Sequence, residues 1–304
     1  MLRKKPVLKS KSKKYHNERD SAFFRLRSKN NLARLLFSSE KKLSDIARED
    51  GLYKDFEKLK KNGKDTRTVS APRADLKAVQ SRISDLLMRI RPPDWLFSPV
   101  KGRSYVDNAR PHANAASVRL LDIEDFFPSC TGNKVVWFFK ERMECSPDVV
   151  AILKGIVTKD DALPQGSPCS PILAYLCYID MWEEIESLVN KAECDLSVYA
   201  DDLTISGEKV PEKMIWGIKQ ILKRHGHSYH AGKERKKWHK PAEVTGVIVR
   251  GDGLLFVPNR QHQATAKIRK KLASKCSIKE RAALQAQLLG RESQMKQITT
   301  LNDF

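Results

Sequence analysis

Three aspartates carry most of the chemistry this sequence could support. Asp201 and Asp202 are adjacent in Tyr199-Ala200-Asp201-Asp202, and Asp122 lies well upstream in Leu121-Asp122-Ile123-Glu124-Asp125. Carboxylates are hard oxygen donors, and Mg²⁺ takes such donors while keeping waters and substrate phosphates in its shell. Two divalent cations held by a few converging carboxylates can stabilise both the attacking and the leaving oxygen of an in-line displacement at phosphorus. The chemistry that fits is the joining of nucleotides, in which a hydroxyl attacks and pyrophosphate departs. The backbone carbonyl of Ile123 is a further oxygen for an ion. Two Mg²⁺ ions are the expected cofactor, with Mn²⁺ as a substitute. An Asp-Asp pair in a turn is commonly no more than solvated turn chemistry. A Tyr-x-Asp-Asp tetrapeptide should arise by chance in roughly one chain of this length in a few tens, so its meaning depends on what surrounds it.

The aspartates need elements to bring them together. Val118, Leu120 and Leu121 read as a buried strand running into Asp122. Leu196 and Val198, then Leu203 and Ile205, alternate with polar residues on either side of Ala200-Asp201, which predicts a β-hairpin with two acids at its tip. Adjacent strands of one sheet would unite the three acids. Around this centre, residues 72 to 90 carry Leu76, Val79, Ile83, Leu86, Leu87 and Ile90 at three- and four-residue steps, predicting an amphipathic helix that ends before Pro92-Pro93. Lys60 to Arg67 reads as a hairpin or loop before it. Val135, Val136, Phe138 and Phe139 suggest a helix after Thr131. Ser170 and Pro171 read as an N-cap and first-turn proline of one helix carrying Ile172, Leu173, Leu176, Ile179, Ile185 and Leu188. Val244 to Val249 reads as a strand, and Ser277 to Glu280 as a capping box opening a helix with Leu284 and Leu288.

Composition narrows the partners. The chain of 304 residues has 57 Lys and Arg against 37 Asp and Glu, a net charge of +20. Such an excess points to a polyanion, either nucleic acid or an anionic membrane surface. The longest uninterrupted apolar run, Ile172 to Ile179, is far short of a bilayer span, so no membrane partner is expected. No apolar signal region follows the basic N-terminus, and the six cysteines form no CxxC pair, which together fit a reducing cytoplasm. The first fourteen residues hold seven basic side chains and no acid. They suit nonspecific phosphate binding and a solvated tail equally well. His225, His227 and His230 read as a polar loop or helix end rather than a metal site.

Three segments, in order, resemble the palm motifs of reverse transcriptases. They are Leu121-Asp122-Ile123-Glu124-Asp125-Phe126-Phe127-Pro128-Ser129, Leu163-Pro164-Gln165-Gly166-Ser167-Pro168-Cys169-Ser170-Pro171, and Tyr199-Ala200-Asp201-Asp202. Thr66-Arg67-Thr68-Val69, Pro72 and Leu76-Lys77-Ala78-Val79-Gln80 resemble the fingers segment of the bacterial enzymes. Asn108-Ala109-Arg110-Pro111-His112 and Val244-Thr245-Gly246 are similar to two short signatures of retron reverse transcriptases. The resemblance covers roughly residues 60 to 290.

The resemblance implies an α/β fold of the α+β type: a right-hand polymerase with fingers, a palm of mostly antiparallel sheet backed by helices, and a basic helical thumb. The expected division is 1–40 for a basic arm and first helix, 41–240 for fingers and palm, and 241–304 for an RNA-binding thumb. Asp122, Asp201 and Asp202 would be catalytic and, with Ile123, hold the ions. Phe127 would lie under the incoming sugar and exclude a ribose 2′-hydroxyl, while Phe126 reads as a core aromatic. Gln165 and Gly166 would let backbone approach the nucleotide, and Arg67, Lys64 and Lys233 would meet its triphosphate. Asn108, His112, Val244, Thr245, Gly246, Arg260, Lys267 and Lys270 would meet RNA.

The implied function is RNA-directed DNA synthesis on a cognate structured noncoding RNA, using deoxynucleoside triphosphates. Priming from a guanosine 2′-hydroxyl would give a branched RNA–DNA product. The implied setting is anti-phage defence with an effector protein. No RNase H segment is apparent, so a host RNase H would remove the template. The alternatives are a diversity-generating or group II intron reverse transcriptase, a nonenzymatic RNA-binding protein with a polymerase fold, and a two-metal nuclease. An intron enzyme carries extra DNA-binding or endonuclease segments, and only a few tens of residues follow the expected thumb strand. The three intact acids speak against the binding protein. The Gln-Gly motif and Phe127 have no role in a nuclease.

Overall fold

In the computed structural model, which describes residues 15–59, 65–274, 277–300 and 302, the chain forms two units that alternate along the sequence. One comprises Met1–Pro92 and Cys130–Cys177, the other Pro93–Ser129 and Tyr178–Phe304. The boundaries expected at 40/41 and 240/241 follow chain order, whereas these units interleave, because strands far apart in sequence pair with one another.

The first unit opens with short helices at Lys29–Leu35 and Glu40–Ile46. Each begins at a serine, Ser28 or Ser39, whose hydroxyl accepts from a backbone N–H in the first turn. Strands β1 (Tyr53–Leu59) and β2 (Thr66–Pro72) form an antiparallel hairpin with Tyr53 opposite Pro72. The helix Ala74–Leu87 follows and buries Leu76, Val79, Ile83, Leu86 and Leu87, the expected stripe. Burying each such side chain contributes about 1.5–3 kcal/mol. The helix Pro147–Val157 is more apolar still and buries six of its residues. The helix after Thr131 is present as Gly132–Trp137, capped by the Thr131 side chain and continued by a wider turn over Phe138–Arg142.

The second unit is built on a mixed sheet. Its strands are β3 (Leu96–Ser98), β4 (Ser117–Glu124), β5 (Asp195–Tyr199), β6 (Asp202–Gly207), β7 (Ser228–Tyr229) and β8 (Arg235–Trp238). The order is β3-β5-β6-β4-β7, with β8 also paired to β4. Only β3–β5 is parallel. Two amphipathic helices belong to this unit: Ile179–Asn190, burying Met181, Trp182, Ile185 and Val189, and Glu212–Arg224, burying Met214, Ile215, Ile218, Ile221 and Leu222. A second, three-stranded sheet contains β9 (Ala242–Val244), β10 (Val247–Val249) and β11 (Leu255–Phe256). Val106, Ala109, Val118, Val244, Val247 and Ile298 share its apolar cluster. The helices Asn259–Ala273 and Ile278–Thr300 complete the unit. Ser277 and Glu280 form the expected capping box, each side chain bonded to the other's backbone N–H.

Three local expectations need correction. Ser170 is the first helical residue rather than the N-cap, and its hydroxyl donates to the Pro164 carbonyl at 2.8 Å. The single helix expected after it is two, Ser170–Leu176 and Ile179–Asn190. The break falls at Tyr178, whose backbone leaves the helical region while its hydroxyl reaches the Ser129 carbonyl at 3.1 Å. Val244–Val249 is a hairpin rather than one strand, because Thr245 and Gly246 both have positive φ (46° and 94°). Two such residues between paired strands are the signature of a tight two-residue turn.

Candidate active site

The aspartates meet through strand register. β4 and β6 run antiparallel with Asp122 directly opposite Asp202. Opposed residues of an antiparallel pair project from the same face, with Cα atoms about 4.5–5.5 Å apart. β5 and β6 are joined by the two-residue turn Ala200-Asp201, with Tyr199 opposite Asp202. Ala200 takes the left-handed conformation, φ 59°, that this tight reversal demands. The turn is fixed to β4 by the Ile123 N–H, which donates to the Asp201 carbonyl at 2.9 Å. The Ile123 side chain is buried beneath.

A cation already sits in this negative well. β7 extends β4 with Ile123 opposite Tyr229, and the His230 N–H donates to the Asp122 carbonyl at 2.8 Å. The one-turn helix Ala231–Lys233 follows and delivers Lys233, whose Nζ donates to both Asp122 oxygens at 2.7 and 3.0 Å. Partial burial lowers the pKa of that ammonium, but the hydrogen bond to Asp122 and the charges of Asp122, Asp201 and Asp202 outweigh it and hold the pKa above the ordinary lysine value. The next residue, Glu234, is held by Arg119 at 3.3 Å and Lys219 at 2.8 Å. Among the described residues, no three His, Cys, Asp or Glu side chains stand as a ready-made metal cage. The donor set nonetheless suits hard divalent ions: carboxylates from two paired strands, with an ammonium standing where positive charge is drawn.

Two rings beyond Asp122 have different settings. Asp125, with φ 43°, turns the chain into the short helix Phe126–Ser129. Phe126 is buried against Trp182 and His227, with ring centroids 6.4 and 5.6 Å away. Phe127 is half-exposed, 5.7 Å from Phe126. His227 and Tyr178 secure this helix: His227 Nδ1 lies 2.7 Å from the Ser129 hydroxyl, and the Tyr178 ring lies 4.4 Å from that of His227. His225 instead lies 3.1 Å from Glu184.

The Gln165-Gly166 segment belongs to the first unit, where it lies along β2. The Gln165 carbonyl accepts from the Ser70 N–H at 2.7 Å. Gly166, φ 126°, passes so close that a Cβ would stand 2.6 Å from the Ser70 oxygen, so no other residue fits without displacement. Behind it, fully buried Gln80 accepts from the Ser167 hydroxyl at 2.8 Å and donates to the Tyr53 hydroxyl and the Ile156 carbonyl. Arg67 is exposed on β2 opposite Lys58, in the same unit. Lys64 lies outside the described residues, as does the basic arm over 1–14.

A family model for reverse transcriptase (RNA-dependent DNA polymerase) matches residues 59–249. The chain belongs to the reverse transcriptase family. Its curated relatives include the retron Se72 reverse transcriptase of Salmonella heidelberg, 31% identical over 60% of this chain and 48% of that protein. The retron Ec86 reverse transcriptase of Escherichia coli is 32% identical over 47% of this chain and 45% of its own length. The retron Mx65 reverse transcriptase of Myxococcus xanthus is 29% identical over 65% and 51%. The chain thus spans about half the length of the curated relatives it matches. Among solved structures, the foamy viral protease–reverse transcriptase dRH in complex with ds DNA is similar at a TM-score of 0.47 and 18% identity, over 79% of this chain and 35% of that one.

In this chain the two retron-like signatures touch each other. Asn108 Nδ2 donates to Thr245 Oγ1 at 3.3 Å, and Thr245 Oγ1 donates to the Tyr105 carbonyl at 2.9 Å. His112 lies between the hydroxyls of Ser197 on β5 and Ser206 on β6, 2.7 Å from each. Asn108, His112 and Val244 are fully buried, so their expected contact with RNA gives way to a supporting position inside the fold. Thr245 and Gly246 are only half-buried at the tip of the β9–β10 hairpin. Lys267 and Lys270 are exposed on the helix Asn259–Ala273, whose buried side is Thr265 and Ile268. Arg260, at the start of that helix, is paired with Glu243. Sequence reasoning did not single out Gln80, Ser129, His227 or Arg119 as supports. Their side chains gain meaning only from partners far along the chain.

Proposed function

We propose that the protein is an RNA-directed DNA polymerase of the retron type, which copies part of a cognate structured noncoding RNA into single-stranded DNA. The observation that carries this reading is the pairing of Asp122 opposite Asp202, with the Asp201 turn bonded to Ile123, in a chain of the reverse transcriptase family. When bound, two Mg²⁺ ions, or Mn²⁺ in their place, supply positive charge to the attacking and leaving oxygens of the displacement. Asp122, Asp201, Asp202 and the Ile123 carbonyl hold them. Lys233, Arg67 and Lys64 bind the triphosphate of the incoming deoxynucleotide. The Gln165-Gly166 backbone accommodates the nucleotide, and the Phe127 ring occupies the space a ribose 2′-hydroxyl would need.

The exposed basic face that includes Lys267 and Lys270 grips phosphates of the template–product duplex without reading sequence. The Thr245-Gly246 tip, supported from within by Asn108, contacts the cognate RNA with Arg260 near the base of its helix. Synthesis starts from a guanosine 2′-hydroxyl of that RNA and leaves a branched product. The setting is the bacterial cytoplasm, in phage defence with an effector protein, and a host RNase H removes the template. Among the described residues, no helix is long and apolar enough to cross a membrane.

The test combines the purified protein with Mg²⁺, template RNA and four deoxynucleotides. DNA synthesis is expected, and Asp201→Asn should abolish it while RNA binding persists. Undiminished synthesis by that variant would remove the metal assignment. Sequencing the DNA attached to copurified RNA tests the branch: a product joined at a guanosine 2′-oxygen is expected, and an unattached product refutes the priming scheme.

A further inference from the structure

The contact between Lys233 and Asp122 does more than place a lysine near a triphosphate site. Both oxygens of Asp122 receive a hydrogen bond from the same ammonium, at 2.7 and 3.0 Å. An ion approaching that carboxylate meets a positive charge already bonded to it. The Asp122 side chain is largely enclosed and Lys233 about half-exposed, so this is a lid-like placement over a recessed acid.

The placement is built into the backbone. The His230 N–H is bonded to the Asp122 carbonyl, and the Lys233 N–H to the His230 carbonyl. Glu234 is fastened from the other side by Arg119 and Lys219, and Arg119 is also paired with Glu212. The turn carrying Lys233 is therefore tied to the strand carrying Asp122 at both ends. Only the flexible four-carbon stem of the lysine remains to move.

The electrostatics point the same way. Three carboxylates on one strand pair repel one another unless a cation lies among them. The Lys233 ammonium meets that need, bonded to both oxygens of Asp122 beside the Asp201-Asp202 turn. A lysine is a compact point charge that exchanges partners readily and binds phosphate as such.

We propose that Lys233 is an internal counter-ion that occupies the aspartate site in the nucleotide-free protein and competes there with divalent cations. This rests on the two-ion reading of Asp122, Asp201 and Asp202 given above. On that reading the ammonium has two successive partners, the carboxylate before the nucleotide arrives and the triphosphate afterwards. Nucleotide arrival then frees Asp122 at the moment an ion is needed.

The experiment is a Mn²⁺ titration of the full chain without nucleotide or RNA, following free Mn²⁺ by electron paramagnetic resonance. Lys233→Met should bind Mn²⁺ roughly 3- to 10-fold more tightly than wild type, the range for removing a partly screened competing charge. Lys233→Arg, which keeps the charge, should remain close to wild type. Adding Asp201→Asn to Lys233→Met should cancel the gain. Unchanged or weaker binding by Lys233→Met overturns the counter-ion role, as does a gain that survives in the double variant. If no protein binds Mn²⁺ in a way that Asp201→Asn removes, the two-ion reading fails and the inference with it. Lys233→Gln repeats the comparison if the Met variant does not fold.

Discussion

Phe126 and Phe127 are neighbours whose roles separate at the level of single side chains. Phe126 is 5% exposed and packed among Trp182 and His227, so its removal is a stability matter. Phe127 keeps an open face. Replacing it with valine is expected to admit ribonucleotides, lowering the ratio of kcat/KM for dNTP over NTP on the order of 10- to 100-fold, the scale of a steric clash of a few kcal/mol. An unaltered ratio would strip Phe127 of its gate role. At this scale the sequence was readable in placing Asp122, Asp201 and Asp202 side by side. It was misleading where a polar side chain could serve either a ligand or the interior. Asn108 and His112 belong to the second group: a motif reports that an amide and an imidazole are wanted, not which way they face.

At the scale of elements, His112 is the fastening between β5 and β6, the two strands that present Asp201 and Asp202. Burial holds its imidazole down to a pKa of about 4, so it is neutral where it bridges Ser197 and Ser206. The unfolded chain titrates this group near the ordinary value of about 6.5. Between those values the unfolded state binds more protons, so stability is full above about pH 6.5 and falls as pH drops toward 4, by an amount on the order of 3 kcal/mol. Denaturant midpoints at pH 7.5 and pH 5 should differ in wild type, and the difference should shrink in His112→Gln. An equal difference in both proteins would assign the pH effect to other groups.

Most elements were legible from periodicity, among them Ala74–Leu87, β4 and the β5–β6 hairpin. The misses share a cause. The break at Tyr178 and the turn at Thr245-Gly246 are imposed by tertiary partners, the Ser129 carbonyl in one case and the Tyr105 carbonyl in the other. The apolar run Ile172 to Ile179 carries no trace of its break, whereas Gly246 is a local turn signal that the strand reading passed over.

For the whole molecule, the net charge of +20 sets how it meets nucleic acid. Affinity for an RNA–DNA duplex is expected to fall roughly 100-fold or more between 50 and 200 mM salt, as counterion release dictates for several phosphate contacts. Fluorescence anisotropy across that range gives the slope. Changing Lys267 and Lys270 together to glutamine should flatten it by about 2. An unchanged slope would take the helix Asn259–Ala273 out of the duplex contact.

The interleaving of the two units also bears on synthesis of the protein itself. A ribosome releases β4, with its single aspartate, and must then deliver all of Cys130–Cys177, which belongs to the other unit, before β5 and β6 emerge. Until then the nascent chain holds an apolar strand whose ladder partner does not yet exist. Closing so long a loop is entropically costly and slow. β4 therefore waits through that whole stretch of translation, and a chain released before Asp202 has half of an acid pair and lacks the β6 ladder.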